Sequence, residues 1–173
     1  MEPLQYSSEC RCAVSTTSDR VALLGVIREI AERHHTHIVC FDAEKLAGLE
    51  HAERAIRFAA RSFSSGNPIA KSFEMEALLY AAGSRQCAVA ATFGIHEGEN
   101  QLYVCCCPTC DDAWQALTRH LTFVAGIDAS MSEERTARLM DLFGITAEEC
   151  AVAGLGRITA LVLERVAFLE VSK

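Results

Sequence analysis

Four cysteines lie close together in the run Cys-Cys-Cys-Pro-Thr-Cys that ends at Cys110. Cys107 and Cys110 have the CxxC spacing, and they precede a predicted helix at Asp111, which is where a redox dithiol normally lies. A tetrahedral zinc site needs two more ligands, and Cys10 and Cys12 are candidates, although their one-residue gap is unusual for zinc. A strand end followed by a turn explains the same run without any chemistry.

The chain has nine cysteines in total. Because its first 14 residues lack the basic start and apolar middle of a secretion signal, we expect a cytoplasmic protein whose cysteines are reduced thiols. A disulfide framework is therefore not predicted.

Three histidines, His34, His35 and His37, fall between a predicted helix and a predicted strand. The pair at 35 and 37 has the HxH spacing of a metal site, but cations at a helix C-terminus are also stabilised by the helix dipole. We therefore leave both interpretations open for this cluster.

Recognisable catalytic motifs are not found. The sequence has neither a phosphate-binding G-x-x-x-x-G-K-[ST] loop nor a G-x-S-x-G nucleophile elbow. Gly154 and Gly156 form a G-x-G before a helix but not after a strand, which supports dinucleotide binding only weakly. We expect a protein that is not an enzyme and that needs no cofactor or metal.

The 173 residues are half hydrophobic and 23% charged, which is typical of one folded domain over 1–173. The formal net charge of −7 argues against a protein that binds duplex nucleic acid along its whole surface, since such proteins cluster Lys and Arg. It does not exclude a small local site for a nucleic-acid end. No apolar run reaches the ~20 residues that cross a bilayer, so no membrane partner is expected.

Hydrophobic periodicity positions these residues on alternating strands and helices. Ser18, Ser72 and Ser84 are candidate N-caps, Gly83 is a helix stop, and Thr146 has capping-box spacing to a glutamate. The predicted strands are 11–15, 37–41 and 101–106, and the predicted helices are 19–33, 49–63, 72–83, 85–93, 111–126, 132–143, 146–151 and 157–169.

The last predicted helix is apolar on more than one face. A terminal helix of this kind is either deeply buried or contacts a partner. On periodicity alone, burial in the domain's own core and contact with a partner both remain open.

Three segments, in the same order along nearly the whole chain, resemble one known family, and one of them, residues 90–104, is similar to the family's A-x-x-x-G followed by a loop and an apolar strand. Residues 67–86, Asn-Pro-Ile-Ala-Lys-Ser-Phe-Glu-Met-Glu-Ala-Leu-Leu-Tyr-Ala-Ala-Gly-Ser-Arg-Gln, are similar to P-I-A-N-S-F-x-M-E-x-L-x-x-A-S-G-x-x-Q in archaeal members of the TPRKB-like (PRPK-binding) KEOPS subunit family. Residues 154–170 resemble the family's G-x-G-x-x-x-x-V-L-E-x-[IV]-A-L-x-E ending. Lys71 stands where the family usually has Asn, and the cysteine run ending at Cys110 is not part of the family pattern.

The resemblance implies a single α/β (α+β) domain with a small, mainly antiparallel sheet packed against several helices. Members of the family are non-catalytic subunits of a tRNA-modifying complex that makes N6-threonylcarbamoyladenosine, and the transferase is another subunit. They dock on a small atypical kinase/ATPase subunit through their C-terminal helices. Archaeal members also bind the single-stranded 3′ CCA end of tRNA.

On this resemblance, the kinase contact is expected on exposed members of one set in the last helix and just before it: Leu155, Ile158, Leu161, Val162 and Leu163. The tRNA end is expected at the loop and helix N-terminus of 67–73, where backbone N–H groups attract phosphate. The residues assigned to this contact are Asn67, Lys71, Ser72 and Phe73, with Arg57, Arg61 and Arg85 adding local positive charge. The alternative is that Ser72 only caps a helix, Phe73 fills the core and the arginines are solvated.

Two other functions remain open. One is a cysteine-based metal or redox protein that uses Cys107 and Cys110. The other is a self-associating scaffold in which the last helix forms a homodimer when the chain is isolated.

Overall fold

A four-stranded antiparallel sheet lies at the centre of the computed structural model, which describes residues 7–154 and 156–172. Its strands are β1 (Glu9–Thr17), β2 (His37–Asp42), β3 (Gly98–Cys107) and β4 (Thr122–Val124). Their order in the sheet is β2-β3-β1-β4, so β2 and β4 form the two edges. The predicted α+β domain with a small antiparallel sheet is therefore confirmed.

Eight α-helices in the described residues surround this sheet, and a 3-10 turn (Ala43–Lys45) follows β2. The helices are α1 (Arg20–Arg33), α2 (Leu49–Ser64), α3 (Phe73–Ala82), α4 (Cys87–Ala91), α5 (Asp111–Leu117), α6 (Glu133–Phe143), α7 (Ala147–Ala153) and α8 (Ile158–Val171).

Both faces of the sheet are buried, because helices cover each of them. Successive β3 side chains point to opposite faces, so Leu102 and Val104 pack with α1 and α5. Tyr103 and Cys105 pack instead with α2, α3, α6 and α8. This double coverage explains the unbroken apolar run of β3, which would alternate with polar residues if one face met solvent.

Local signals set most helix ends. Ser72 caps α3 by accepting a hydrogen bond from the Met75 N–H, and Gly83 ends it with a left-handed φ of 60°. The capping box at Thr146 is also present. The N-cap of α1 is Asp19 rather than Ser18, because the Asp19 carboxylate accepts from the Ala22 N–H.

The helix predicted over 111–126 is wrong in its second half. α5 ends at Leu117, and Thr122-Phe123-Val124 form β4, which pairs with β1 through Ala13 opposite Phe123. Two of these three residues are β-branched and one is aromatic, which favours a strand. Phe123 meets the Trp114 ring edge-on, with centroids 5.6 Å apart. The helix predicted over 85–93 is also shorter, since α4 begins only at Cys87.

The last helix buries one face in the domain's own core. Ile158, Val162, Val166 and Leu169 follow helical spacing and are all buried. Phe168 lies on the other side and is 66% exposed. The inner stripe of α8 therefore belongs to the core, while the outer face stays uncovered.

Candidate functional site

A groove of about 850 Å³ runs along the β2 edge of the sheet, between α1 and α3. The two helices pack on opposite faces of the sheet, so the strand edge between them forms the floor. Ile38 and Cys40 of β2 contribute to that floor. The apolar walls come from both helices and from the segment after α4, and they include Leu24, Ile27, Phe73, Leu78 and Ile95.

A stacked pair of rings lies on the α3 side of the groove. The His37 ring stacks on Phe73 with centroids 4.5 Å apart and planes 19° apart. His37 Nδ1 lies 2.9 Å from the Glu74 carboxylate. Burial alone would raise the pKa of Glu74, but the hydrogen bond from His37 and the nearby charges of His37 and Arg28 lower it below its ordinary value. The pair thus presents an oriented, half-exposed ring.

Cationic side chains outnumber carboxylates around the groove. Arg20, Arg28 and Lys71 line it, together with His35 and His37. The carboxylates among its lining residues are two glutamates at 32 and 74, and the second is engaged by His37. The groove is therefore locally basic in a chain whose net charge is −7, which favours an anionic ligand.

Three of the residues assigned to tRNA from the family resemblance line this groove: Lys71, Ser72 and Phe73. Phe73 is only 4% exposed and also packs on Phe63, so it supports the His37 ring instead of offering its own face to a ligand. Ser72 caps α3. The core and capping roles of Phe73 and Ser72 are thus real. Lys71 and Ser72 are both exposed, and Lys71 is the cation that could bind a phosphate directly.

The other four assigned residues are not among the groove's lining residues. Arg57, Arg61 and Asn67 are exposed, and the Arg61 guanidinium lies 5.7 Å from the Phe58 ring centroid. Arg85 donates to the Ser172 carbonyl near the end of α8. The structure therefore separates these residues from Lys71 instead of forming one cluster.

The α1 wall of the groove is absent from the site predicted from the sequence. Arg20, Leu24, Ile27, Arg28 and Ala31 line the groove from α1. Their spacing of four, three, one and three residues places them on one helical face. The sequence signal for this wall is a helical face that carries arginines beside its aliphatic residues. Helical periodicity uses only the aliphatic ones, so it predicts a core-facing stripe there.

The residues assigned to the kinase contact are mostly internal. Ile158, Val162 and Leu163 are buried in the domain itself, although Leu163 also lines a surface cleft. Leu161 is half-exposed and lines a cleft of about 560 Å³ between α8 and α2. Leu155 lies outside the described residues.

Other apolar side chains are exposed at the C-terminal end of the chain. Val152 on α7 and Phe168 and Val171 on α8 have most of their surface in solvent. We call Val152, Leu161, Phe168 and Val171 the α7–α8 surface. The set assigned from the family resemblance lies mostly on the inner stripe of α8, with Leu161 as its half-exposed member, whereas this surface comprises side chains that the fold leaves uncovered.

The expectation that all nine cysteines are reduced is wrong for one pair. Cys10 and Cys105 are joined by a disulfide between β1 and β3. They lie directly opposite each other in the strand register, with Cα atoms 4.1 Å apart. That register brings together two cysteines that are 95 positions apart in sequence.

The CxxC pair has the wrong environment for a reactive dithiol. Burial raises the pKa of Cys107 to about 11, so its thiolate is scarce at neutral pH. Cys110 is the N-cap residue of α5 and is partly exposed. Within residues 7–154 and 156–172, no three His, Cys, Asp or Glu side chains are placed to hold a metal ion.

No protein-family model matches this sequence, and none of the curated proteins is similar to it. None of the helices in the described part of the chain has the length and apolar character needed to cross a membrane.

Proposed function

We propose that this chain is a non-catalytic subunit of the KEOPS tRNA-modifying complex. Its groove binds the single-stranded 3′ CCA end of tRNA, and its α7–α8 surface docks on the small kinase/ATPase subunit. The observation that carries the proposal is the basic, apolar-walled groove beside the stacked His37 and Phe73 rings.

The groove combines the features by which proteins hold single strands. Splayed bases are bound by rings and apolar walls, and the phosphates by a few cations. The exposed face of His37 supplies a ring, and Lys71 and Arg28 supply cations. A basic belt is not needed for so short a segment, so the net charge of −7 is compatible with this ligand.

The α7–α8 surface supports the second part of the proposal. Phe168 is 66% exposed and Val152 91% exposed, and Leu161 opens the neighbouring cleft. Exposed apolar side chains of this size mark protein interfaces, where aromatic anchors contribute most of the binding energy. A kinase subunit seated there would cover the second face of α8.

Trimming the tRNA tests the first part. We expect full-length tRNA to bind the purified chain at least about tenfold more tightly than the same tRNA without its CCA end, because the lost bases carry the stacking energy. Fluorescence anisotropy at fixed salt measures both affinities. Equal affinities would remove the 3′ end from the proposal.

A charge placed on the α7–α8 surface tests the second part. We expect Phe168→Glu to abolish co-purification with the kinase subunit, because it buries an unpaired charge in the interface. Val21→Glu is the matched control, since Val21 is 79% exposed on α1, outside this surface. A folded Phe168→Glu protein that still co-purified normally would place the docking surface elsewhere.

Thiol chemistry is a second candidate function, and the Cys10–Cys105 disulfide is the observation that favours it. It predicts that the folded protein exchanges this bond with an added dithiol and that Cys10→Ser loses the exchange. Thiol–disulfide exchange assays of wild type and Cys10→Ser decide this, with Cys110→Ser as the control. A disulfide that does not exchange in the folded wild-type protein would remove the candidate.

Self-association competes with kinase docking for the same surface. If α8 forms a homodimer, light scattering gives twice the mass for the chain alone, and Phe168→Glu restores the mass of a monomer. If the surface serves the kinase subunit, adding that subunit gives a one-to-one complex.

A further inference from the structure

The geometry points to the backbone edge of β2 as the element that recognises a nucleobase in the groove. Ile38 and Cys40 direct their N–H and C=O groups into the groove, where they can pair with the hydrogen-bonding edge of one base. This inference rests on the proposed function, because it takes a nucleotide of the tRNA end as the ligand.

The hydrogen bonds at the two ends of β2 fix the direction of its backbone groups. The Asp42 N–H donates to the Phe93 carbonyl at 2.7 Å, and the Thr36 N–H donates to the Ala31 carbonyl at 3.0 Å. Both acceptors lie outside the sheet, so the N–H groups of Thr36 and Asp42 point away from β3. Because alternate residues of a strand point their backbone groups to the same side, Ile38 and Cys40 between them also point away from β3.

The neighbouring strand pair gives an independent check of this direction. If the odd-numbered β3 residues bond to β2, their pairs with β1 must be of the non-hydrogen-bonded kind. The Cα atoms of Cys10 and Cys105 are 4.1 Å apart, close to the ~4.5 Å of non-hydrogen-bonded antiparallel pairs and well below the ~5.5 Å of the other kind. The two observations agree.

Ile38 and Cys40 form a gap in an otherwise paired edge. Thr36 and Asp42 bond to Ala31 and Phe93, but within the described residues the outward groups of Ile38 and Cys40 make no backbone hydrogen bond. The Cys40 carbonyl faces Gly94, where a Cβ would lie 3.8 Å from it, so Ile38 and the Cys40 N–H are the more open part of the edge. Both residues are buried, with exposures of 4% and 8%. Buried backbone groups are almost always paired, so this edge is suited to a ligand that brings its own donor and acceptor.

The size of the gap favours a base over a peptide. An extended peptide that adds to a sheet edge must continue along the strand in both directions. Here the edge is closed at one end by the Ala31 carbonyl and at the other by the Phe93 carbonyl. The two open residues span only about 7 Å, which suits a planar group with a neighbouring donor and acceptor.

The walls of the groove fit the same ligand. Leu24 and Ile27 face it from α1, and Leu78 and Ile95 line it from the other side. A base between these apolar walls would have its edge at β2. Lys71, at the same groove, is then available for the adjoining phosphate.

Amide hydrogen exchange tests the inference without any substitution. The probe is a short synthetic single-stranded RNA that ends in CCA, added to the 15N-labelled protein. We expect exchange at Ile38 and Cys40 to slow on binding, while Val39 and Phe41, which already bond to β3, change little. RNA that binds without slowing Ile38 and Cys40 would overturn the inference and leave the proposed function intact.

A pair of substitutions tests it by affinity. Cys40→Pro removes the outward N–H, which an edge strand tolerates, whereas Cys40→Ala removes only the thiol. We expect Cys40→Pro to weaken RNA binding about fivefold relative to Cys40→Ala, the cost of one hydrogen bond. Equal affinities of two folded variants would overturn the inference, and if Cys40→Pro does not fold, the exchange measurement decides.

Two other results have distinct meanings. If the RNA does not bind the wild-type protein at all, the proposed function and the inference both fail. If the tetrapeptide Ac-Glu-Val-Glu-Val-NH2 slows exchange at Ile38 and Cys40 and the RNA does not, the edge takes a peptide strand, and the inference is overturned in favour of that class of ligand.

Discussion

Polar groups are buried both in the interior between α2 and α3 and in the groove beside β2, but the hydrogen bonding of the two sets differs. In the interior, Glu76 accepts hydrogen bonds from the Ile69 and Ala70 N–H groups at 2.9 and 2.7 Å. Nδ1 of His51 accepts from the Ala47 N–H, so its Nε2 carries the proton and donates to the Ala81 carbonyl. These polar side chains hold loops and helices in place.

In the groove, by contrast, the outward backbone groups of Ile38 and Cys40 make no backbone hydrogen bond in the described part of the chain. A paired polar group stabilises the fold, and an unpaired one lowers stability unless a ligand supplies the missing bond. We therefore expect the interior groups to matter for stability and the groups at the strand edge to matter for ligand binding. It predicts large stability effects from interior changes and small ones from changes in the groove.

The largest effect is expected from breaking the Cys10–Cys105 disulfide. The cross-link joins residues 95 positions apart, and opening a loop of that length lowers the free energy of unfolding by about 4 kcal/mol. Urea unfolding with and without a dithiol reductant measures this. Cys12→Ser should respond to the reductant like wild type and Cys10→Ser should not; a wild-type midpoint that ignores the reductant would show that the bond contributes nothing.

Removal of the Glu76 carboxylate should have the next largest effect. Glu76→Ala leaves the buried Ala70 N–H and the half-buried Ile69 N–H without their acceptor, so the free energy of unfolding falls by about 3 kcal/mol. Glu53→Ala is the control, because Glu53 is an exposed helical glutamate, and its effect should stay within about 0.5 kcal/mol. Equal urea midpoints for the two variants would mean that the loop before α3 does not depend on Glu76.

Protonation of His51 should destabilise the protein in acid. Burial lowers the pKa of His51 from 6.5 to about 4. Between these two values the unfolded chain binds a proton that the folded chain does not, so stability falls as the pH falls from 6.5 to 4 and then changes no further from this group. The loss is about 2 to 3 kcal/mol.

Other groups titrate in the same range, so a variant isolates the contribution of His51. The difference in unfolding free energy between wild type and His51→Gln should shift by that amount from pH 7 to pH 4. A difference that does not vary with pH would show that His51 is not buried as a neutral ring.

The sequence was a good guide to the elements and a poor guide to what they bring together. Periodicity found three strands and most helices, and the cap at Ser72 and the stop at Gly83 are local signals that tertiary contacts did not override. β4 has only three residues and gains its order from pairing with β1, so its β-branched and aromatic residues were too short a pattern to outweigh the helical spacing before it. The groove depends on two helices lying on opposite faces of the sheet, a fact of topology that spacing does not contain.

The same limit explains why the site residues were only partly predicted. Ile158 and Leu161 are similar apolar residues of one helix, yet the first is buried and the second half-exposed. The disulfide needed the β1–β3 register, which the nine cysteines alone do not specify. Lys71 was found because the family-like segment contains it, whereas Arg28 on α1 has no such signal.

The smallest change in stability, and the sharpest test of the comparison, is expected at the groove rim. Lys71→Ala and Arg28→Ala remove exposed charges, so each should alter the free energy of unfolding by less than about 0.5 kcal/mol. Each should nevertheless weaken RNA binding and reduce the slope of log affinity against log salt by about 0.7, the value for one phosphate contact on a single strand. Arg57→Ala is the matched control, because Arg57 is equally exposed but does not line the groove. If Arg57→Ala lowers the slope as much as Lys71→Ala does, the RNA phosphates also contact arginines outside the groove. The groove would then not be the distinct binding site.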